Sequence, residues 1–167
     1  MPLNLLVVRH GPAGDREKWA KAGLDDSLRP LTRGGRSKTR RAARGLKALL
    51  PSLDVLATSP LLRASQTAAA LAAAYGVKPV RVPSLSPASD PARLLGWLSR
   101  RREGSVAIVG HEPHLSGLVG LLLTGRPARF MELKKGGACL LSFDEAPRPG
   151  TGLLRWLLMP SQLRALR

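Results

Sequence analysis

Arginine, histidine and glycine follow one another at positions 9, 10 and 11, directly after the branched apolar run Leu5-Leu6-Val7-Val8. Imidazole attacks phosphorus directly and forms a covalent intermediate. A neighbouring guanidinium holds the phosphoryl oxygens while the bond changes hands. Gly11 lets the chain turn close to a ligand, where a Cβ would intrude. Alone, the tripeptide reads as a strand end with a surface histidine. Two further positions decide otherwise: Arg63, shortly after Ser59-Pro60, and His111, inside Gly110-His111-Glu112-Pro113.

The elements that must position these residues follow from the apolar pattern. Leu5–Val8 suits a buried strand ending at Arg9 and His10, and Leu53–Thr58 suits a second. Val77–Val82 holds a third, placed near an edge because Pro79 interrupts it, and Ser105–Val109 is apolar enough for a central strand. Helices alternate with them. One runs from an N-cap at Thr32 to about Leu50, burying Ala42, Ala43, Leu46, Leu49 and Leu50. Ser59 as N-cap with Pro60 at the first helical position opens another, Leu61–Tyr75, which closes at Gly76 and puts Arg63 in its first turn. Further helices are expected over Ala92–Arg101 and His114–Leu123, the latter turning Leu115, Leu118, Val119 and Leu122 inward. Ala138–Phe143 and Leu153–Leu158 read as a late antiparallel pair. Pro12–Arg29 has no clean period and reads as a loop over the strand ends.

Strands alternating with helices imply a mostly parallel sheet covered on both faces. In such sheets, ligands sit outside the carboxyl ends of the strands. Arg9, His10, Arg63 and His111 therefore converge on one edge, around a pocket shaped for a phosphoryl group. Two guanidiniums repel a metal ion, and zinc sites want three or four close ligands, so no metal or other cofactor is expected.

Composition agrees with one cored domain over residues 1–167, since 44% of the residues are apolar types. The single cysteine, Cys139, lies in an apolar run and reads as a buried thiol. There is no signal-like opening and no stretch near the ~20 apolar residues of a membrane helix, so a cytoplasmic location is expected. The net charge of +16 invites a nucleic-acid partner. The cations are scattered along helix faces, and aromatic residues make up only 4% of the chain, so stacking platforms are scarce. Solvated helix faces are the better reading, and acidic partners remain open.

Four segments together carry a resemblance to a known family. Val8-Arg9-His10-Gly11, Asp26-Ser27-Leu28-Arg29-Pro30-Leu31-Thr32, Ser59-Pro60-Leu61-Leu62-Arg63-Ala64-Ser65-Gln66-Thr67 and Gly110-His111-Glu112-Pro113 occur in the order and spacing of the histidine phosphatase superfamily. The compact length is similar to that of its SixA-type phosphohistidine phosphatases. The resemblance implies a phosphoglycerate mutase-like three-layer α/β/α sandwich, with about six strands and no large cap domain. It also implies that His10 is the nucleophile, that Arg9, Arg63 and His111 hold the phosphoryl oxygens, and that Gly11, Asp26 and Arg29 serve substrate binding. Nearby cations would help keep His10 unprotonated.

Many relatives place a glutamate acid where this chain has Pro83-Ser84-Leu85. Asp26 is the first substitute and Glu112 the second, although Asp26 beside Arg29 reads more simply as an ion pair. A weak acid favours a phosphoramidate, because imidazole, whose conjugate acid has a pKa of about 6.5, leaves more easily than an alkoxide. The expected substrate is a phosphohistidine-bearing protein. A phosphatase of a small phosphorylated metabolite and a non-catalytic basic phosphate-recognition protein are the alternatives. His114 reads as a helix-start surface residue, Trp97 and Trp156 as core, and Trp19 as either a pocket flank or packing.

Overall fold

The computed structural model describes residues 2–166. Six strands form one sheet: β1 (Leu3–Arg9), β2 (Val55–Thr58), β3 (Pro79–Arg81), β4 (Ser105–Gly110), β5 (Ala138–Phe143) and β6 (Leu153–Leu158). Their spatial order is β3-β2-β4-β1-β5-β6. β3, β2, β4 and β1 run parallel, while β5 lies antiparallel to β1 and β6 antiparallel to β5. β3, whose proline cannot complete a ladder on both sides, forms one edge. β4 is buried along its whole length between β1 and β2.

Side chains of a strand alternate between faces, and β1 shows how this builds two cores. Leu3, Leu5 and Val7 pack on one face with α4 (Pro91–Leu98) and α5 (His114–Thr124). Leu6 and Val8 pack on the other with α2 (Arg33–Leu49), α3 (Leu62–Tyr75) and α6 (Pro160–Ala165). The result is a three-layer α/β/α sandwich. A short helix, α1 (Arg16–Lys21), buries none of its residues, and a 3-10 turn follows at Asp26–Leu28.

α2 starts where Thr32 caps it, accepting from Gly35 N. It buries Ala42, Ala43 and Leu46 and leaves all its arginines and lysines exposed, so its charge is a solvated face. Leu49, expected inside, is 37% exposed because it falls past the buried stripe. The start of α3 also departs from expectation. Ser59 and Pro60 lie ahead of the helix, and Leu61 takes the N-cap position without a side-chain cap bond. The Ser59 hydroxyl accepts from Leu61 N at 3.2 Å, ahead of the helix, and also meets a histidine across the sheet edge, described below.

Trp97 and Trp156 are half-buried against the two cores and do not sit inside them. Cys139 is fully buried, and burial pushes its thiol up to about 12. No helix among the described residues is long and apolar enough to cross a membrane.

Candidate functional site

The registers place Arg9 opposite Gly110 and Thr58 opposite Val109, so β1, β2 and β4 end at one level. Just beyond lies a pocket of about 560 Å³, lined by Arg9, His10, Arg29, Arg63 and His111 among others. Asp26, Glu112, Arg16 and Lys135 also line it. Of the seven residues expected to catalyse or bind substrate, only Gly11 is not part of its wall. A Cβ on Gly11 would meet Thr39 Oγ1 at 2.3 Å, and its N–H donates to Thr67 Oγ1 at 3.0 Å. Its smallness therefore serves the contact with α2, and its amide is committed to α3.

His10 is 5% exposed, with Nδ1 2.7 Å from the Gly11 carbonyl oxygen. A carbonyl only accepts, so Nδ1 carries the hydrogen and the neutral ring keeps its lone pair on Nε2. Burial is the main cause lowering its pKa to about 4, and Arg63, Arg9 and Arg29 add to it. The cations expected to hold His10 neutral thus act second to desolvation. His111 lies close, the two ring centroids 5.2 Å apart. Its Nε2 is 2.8 Å from Ser59 Oγ, and burial, with help from His10 and Arg63, lowers it to about 3.

Three guanidiniums are held in different ways. Arg9 Nη1 donates to the Leu133 carbonyl at 2.7 Å, with Glu132 at 4.0 Å. Arg63 donates from Nη1 to the Asp26 carbonyl at 2.8 Å and from Nη2 to Asp26 Oδ2 at 3.0 Å. Arg29 donates from Nε to Asp26 Oδ1 at 2.9 Å and from Nη1 to the Gly14 carbonyl at 2.7 Å. Asp26 thus braces two arginines at once. Its pKa is lowered by the Arg29 hydrogen bond and by the charges of Arg63 and Arg29, which outweigh its partial burial. A carboxylate so held is an ion-pair partner and a poor acid at neutral pH, in line with its simpler reading.

Glu112 accepts from Ser116 N at 2.8 Å and from Leu133 N at 3.2 Å, so both its oxygens serve backbone amides. Ser84 does not line the pocket, although Pro87 of the same segment does. Trp19 donates from Nε1 to the Asp25 carbonyl at 2.8 Å and packs without lining the pocket. His114, expected at the surface, is 6% exposed with no partner for either ring nitrogen. It lies on the inward side of α5, with Leu115 and Leu118. Among the described residues, no three His, Cys, Asp or Glu side chains gather as metal ligands.

Four contributions escaped the sequence reading: the Ser59 hydroxyl, Thr67, the Leu133 carbonyl and Lys135. The last two reach the site through a sheet pairing that local pattern does not show. β5 pairs Ala138 with Val8, so residues just before β5 must lie beside the end of β1. Gly136 N indeed donates to the His10 carbonyl at 2.9 Å.

Fold and site define an α/β protein with an arginine-lined anion pocket at the carboxyl edge of its sheet. Residues 5–86 match the family model of the histidine phosphatase superfamily (branch 1). An uncharacterized protein of a Picosynechococcus strain is 36% identical over 139 residues, covering 81% of this chain and 82% of that one. The phosphohistidine phosphatase SixA of Escherichia coli K12 is 28% identical over 168 residues, 97% of each chain. Among solved structures, a protein histidine phosphatase SixA complexed with tungstate superposes with a TM-score of 0.80 at 26% identity, covering 96% of this chain and 99% of that one. A phosphoserine phosphatase of Entamoeba histolytica in complex with phosphoserine shares the fold, with a TM-score of 0.70 at 16% identity over 98% of this chain and 100% of the other. The chain belongs to the histidine phosphatase superfamily, and within it to the SixA type. It is a phosphatase, with the phosphoglycerate mutase-like fold of that family.

Proposed function

We propose that the chain, as one catalytic domain, removes phosphoryl groups from phosphohistidine on a protein, using His10 Nε2 as nucleophile and no metal. The observation that carries this reading is the bond from His10 Nδ1 to the Gly11 carbonyl, which leaves the Nε2 lone pair in a pocket walled by Arg9, Arg29 and Arg63. In the first step an Nε2–P bond forms while the P–N bond to the substrate imidazole breaks. The leaving imidazole takes a proton from water. In the second step a water oxygen attacks phosphorus, the P–Nε2 bond breaks, and phosphate leaves with the neutral histidine restored. Arg9 and Arg63 hold the charge that spreads over the phosphoryl oxygens. With Ser59 donating its hydroxyl proton to His111 Nε2, Nδ1 of that ring carries the hydrogen and becomes a neutral donor to the same oxygens.

The leaving group argues for a phosphoramidate. Asp26 is committed to two arginines, and both Glu112 oxygens accept backbone amides, so neither stands ready to protonate an alkoxide. Imidazole needs less help. The relatives named for phosphohistidine and protein histidine phosphatase activity support the same substrate class.

The deciding experiment compares wild type and His10→Ala on a phosphohistidine-bearing carrier protein and on a panel of phosphate esters, with chelator present. Phosphohistidine turnover that persists in chelator and vanishes in the variant supports the reading. Preference for an ester moves the function to a metabolite phosphatase. Phosphate binding without turnover leaves a recognition protein.

A further inference from the structure

Arg16 and Lys135 line the mouth of the pocket from two separate segments, and both are exposed. They differ from the cations of the wall. Arg9, Arg29 and Arg63 are held by carbonyls or carboxylates, whereas neither Arg16 nor Lys135 has an ion-pair or hydrogen-bond partner among the described residues. The acids that line the pocket have other hydrogen-bond partners. Asp15 accepts from Lys18 N at 2.8 Å as the cap of α1, and Asp26 braces Arg29 and Arg63. Two exposed cations without side-chain partners thus sit at the opening. A pocket of about 560 Å³ exceeds what one phosphoryl group fills, and a lone phosphoryl group would already find its countercharge in the wall.

Resting on the reading above, we infer that Arg16 and Lys135 form a docking rim for a folded protein whose phosphohistidine is flanked by carboxylates. Rim charges act on encounter and on partner choice, and their effect is weakened by salt.

The test compares wild type, the Arg16→Glu/Lys135→Glu double variant and the Arg16→Lys/Lys135→Arg double variant. Each is assayed on an acidic phosphohistidine carrier protein and on inorganic phosphoramidate. The charge-reversed variant is expected to raise KM for the carrier roughly tenfold more than for phosphoramidate. The conservative variant should restore the carrier KM, and raising salt should erase the difference between wild type and reversal. Equal losses on both substrates, or no loss on either, would overturn the inference. The proposed function stands or falls separately, on whether wild type turns over the carrier and His10→Ala does not.

Discussion

Asp26 and Arg63 meet twice: the side-chain carboxylate accepts from Nη2 at 3.0 Å and the main-chain carbonyl from Nη1 at 2.8 Å. With Arg29 on the other carboxylate oxygen, Asp26 sets the aim of two guanidiniums. Asp26→Ala is expected to lower kcat/KM roughly tenfold or more, since charged hydrogen bonds of this kind contribute about 1.5–3 kcal/mol each. The loss should be alike for phosphohistidine and for a phosphate ester. A loss confined to the ester would instead make Asp26 a proton donor.

His10→Ala should reduce turnover by roughly 10³-fold or more, as removal of a covalent nucleophile does in other enzymes. Rapid quenching of the wild type during turnover should trap an acid-labile, base-stable phosphoryl group on the chain. Peptide mapping would place it at His10. Trapping at any other residue would sink the nucleophile assignment.

The pH dependence follows from two depressed histidines. His10 lies at about 4 and His111 at about 3, both below the ordinary value of 6.5. Between 6.5 and about 4 the unfolded chain binds protons that the folded chain does not, so stability rises with pH there. It is fully present above 6.5 and is lost as pH falls toward 4. Thermal melts from pH 7.5 to 4.5 should show a steady fall in Tm, shallower in a His10→Gln/His111→Gln variant. In the same range kcat/KM should hold near pH 6.5, where an ordinary histidine nucleophile would already be half protonated.

Ser59→Ala removes the partner of His111 Nε2 from a site 3% exposed at the histidine. A buried polar group left unpaired costs about 1–3 kcal/mol, and the ring also loses its fixed tautomer. Both Tm and kcat should fall, and Ser59→Thr should recover part of each. Unchanged kcat in Ser59→Ala would show that His111 is oriented by packing alone.

Gly11→Ala places a methyl 2.3 Å from Thr39 Oγ1, which is itself tied to the Gly35 carbonyl at 2.7 Å. Overpacking of this kind costs about 1–3 kcal/mol, so Tm should drop. Thr39→Ala removes the colliding oxygen, and the double variant should regain most of the loss. Failure of the second change to help would mean that Gly11 is needed for another reason.

Much of this architecture was legible because it is local. Alternating and continuous apolar runs announce strands whichever sheet they join, and β5 and β6 span the residues their patterns mark. Thr32 caps α2 because a cap needs only its own next turn. Ser59 misled for the same reason. Its neighbours read as a helix start, and its hydroxyl does accept from Leu61 N, but the helix begins only at Leu62 and the same hydroxyl meets His111, a residue that local pattern does not bring near.

The sequence by itself determined which residues stand at the carboxyl ends of the strands, since apolar runs and the residues that end them are local, and alternation with helices makes those strands parallel. It thereby assembled Arg9, His10, Arg63 and His111 around one pocket. Only the tertiary structure decided what each polar atom touches: Asp26 between two arginines, Gly11 against Thr39, His114 inside the fold, Lys135 at the mouth. Hydrogen bonds and close contacts depend on ångström-scale distances between segments far apart in the chain, and local pattern carries no record of those distances.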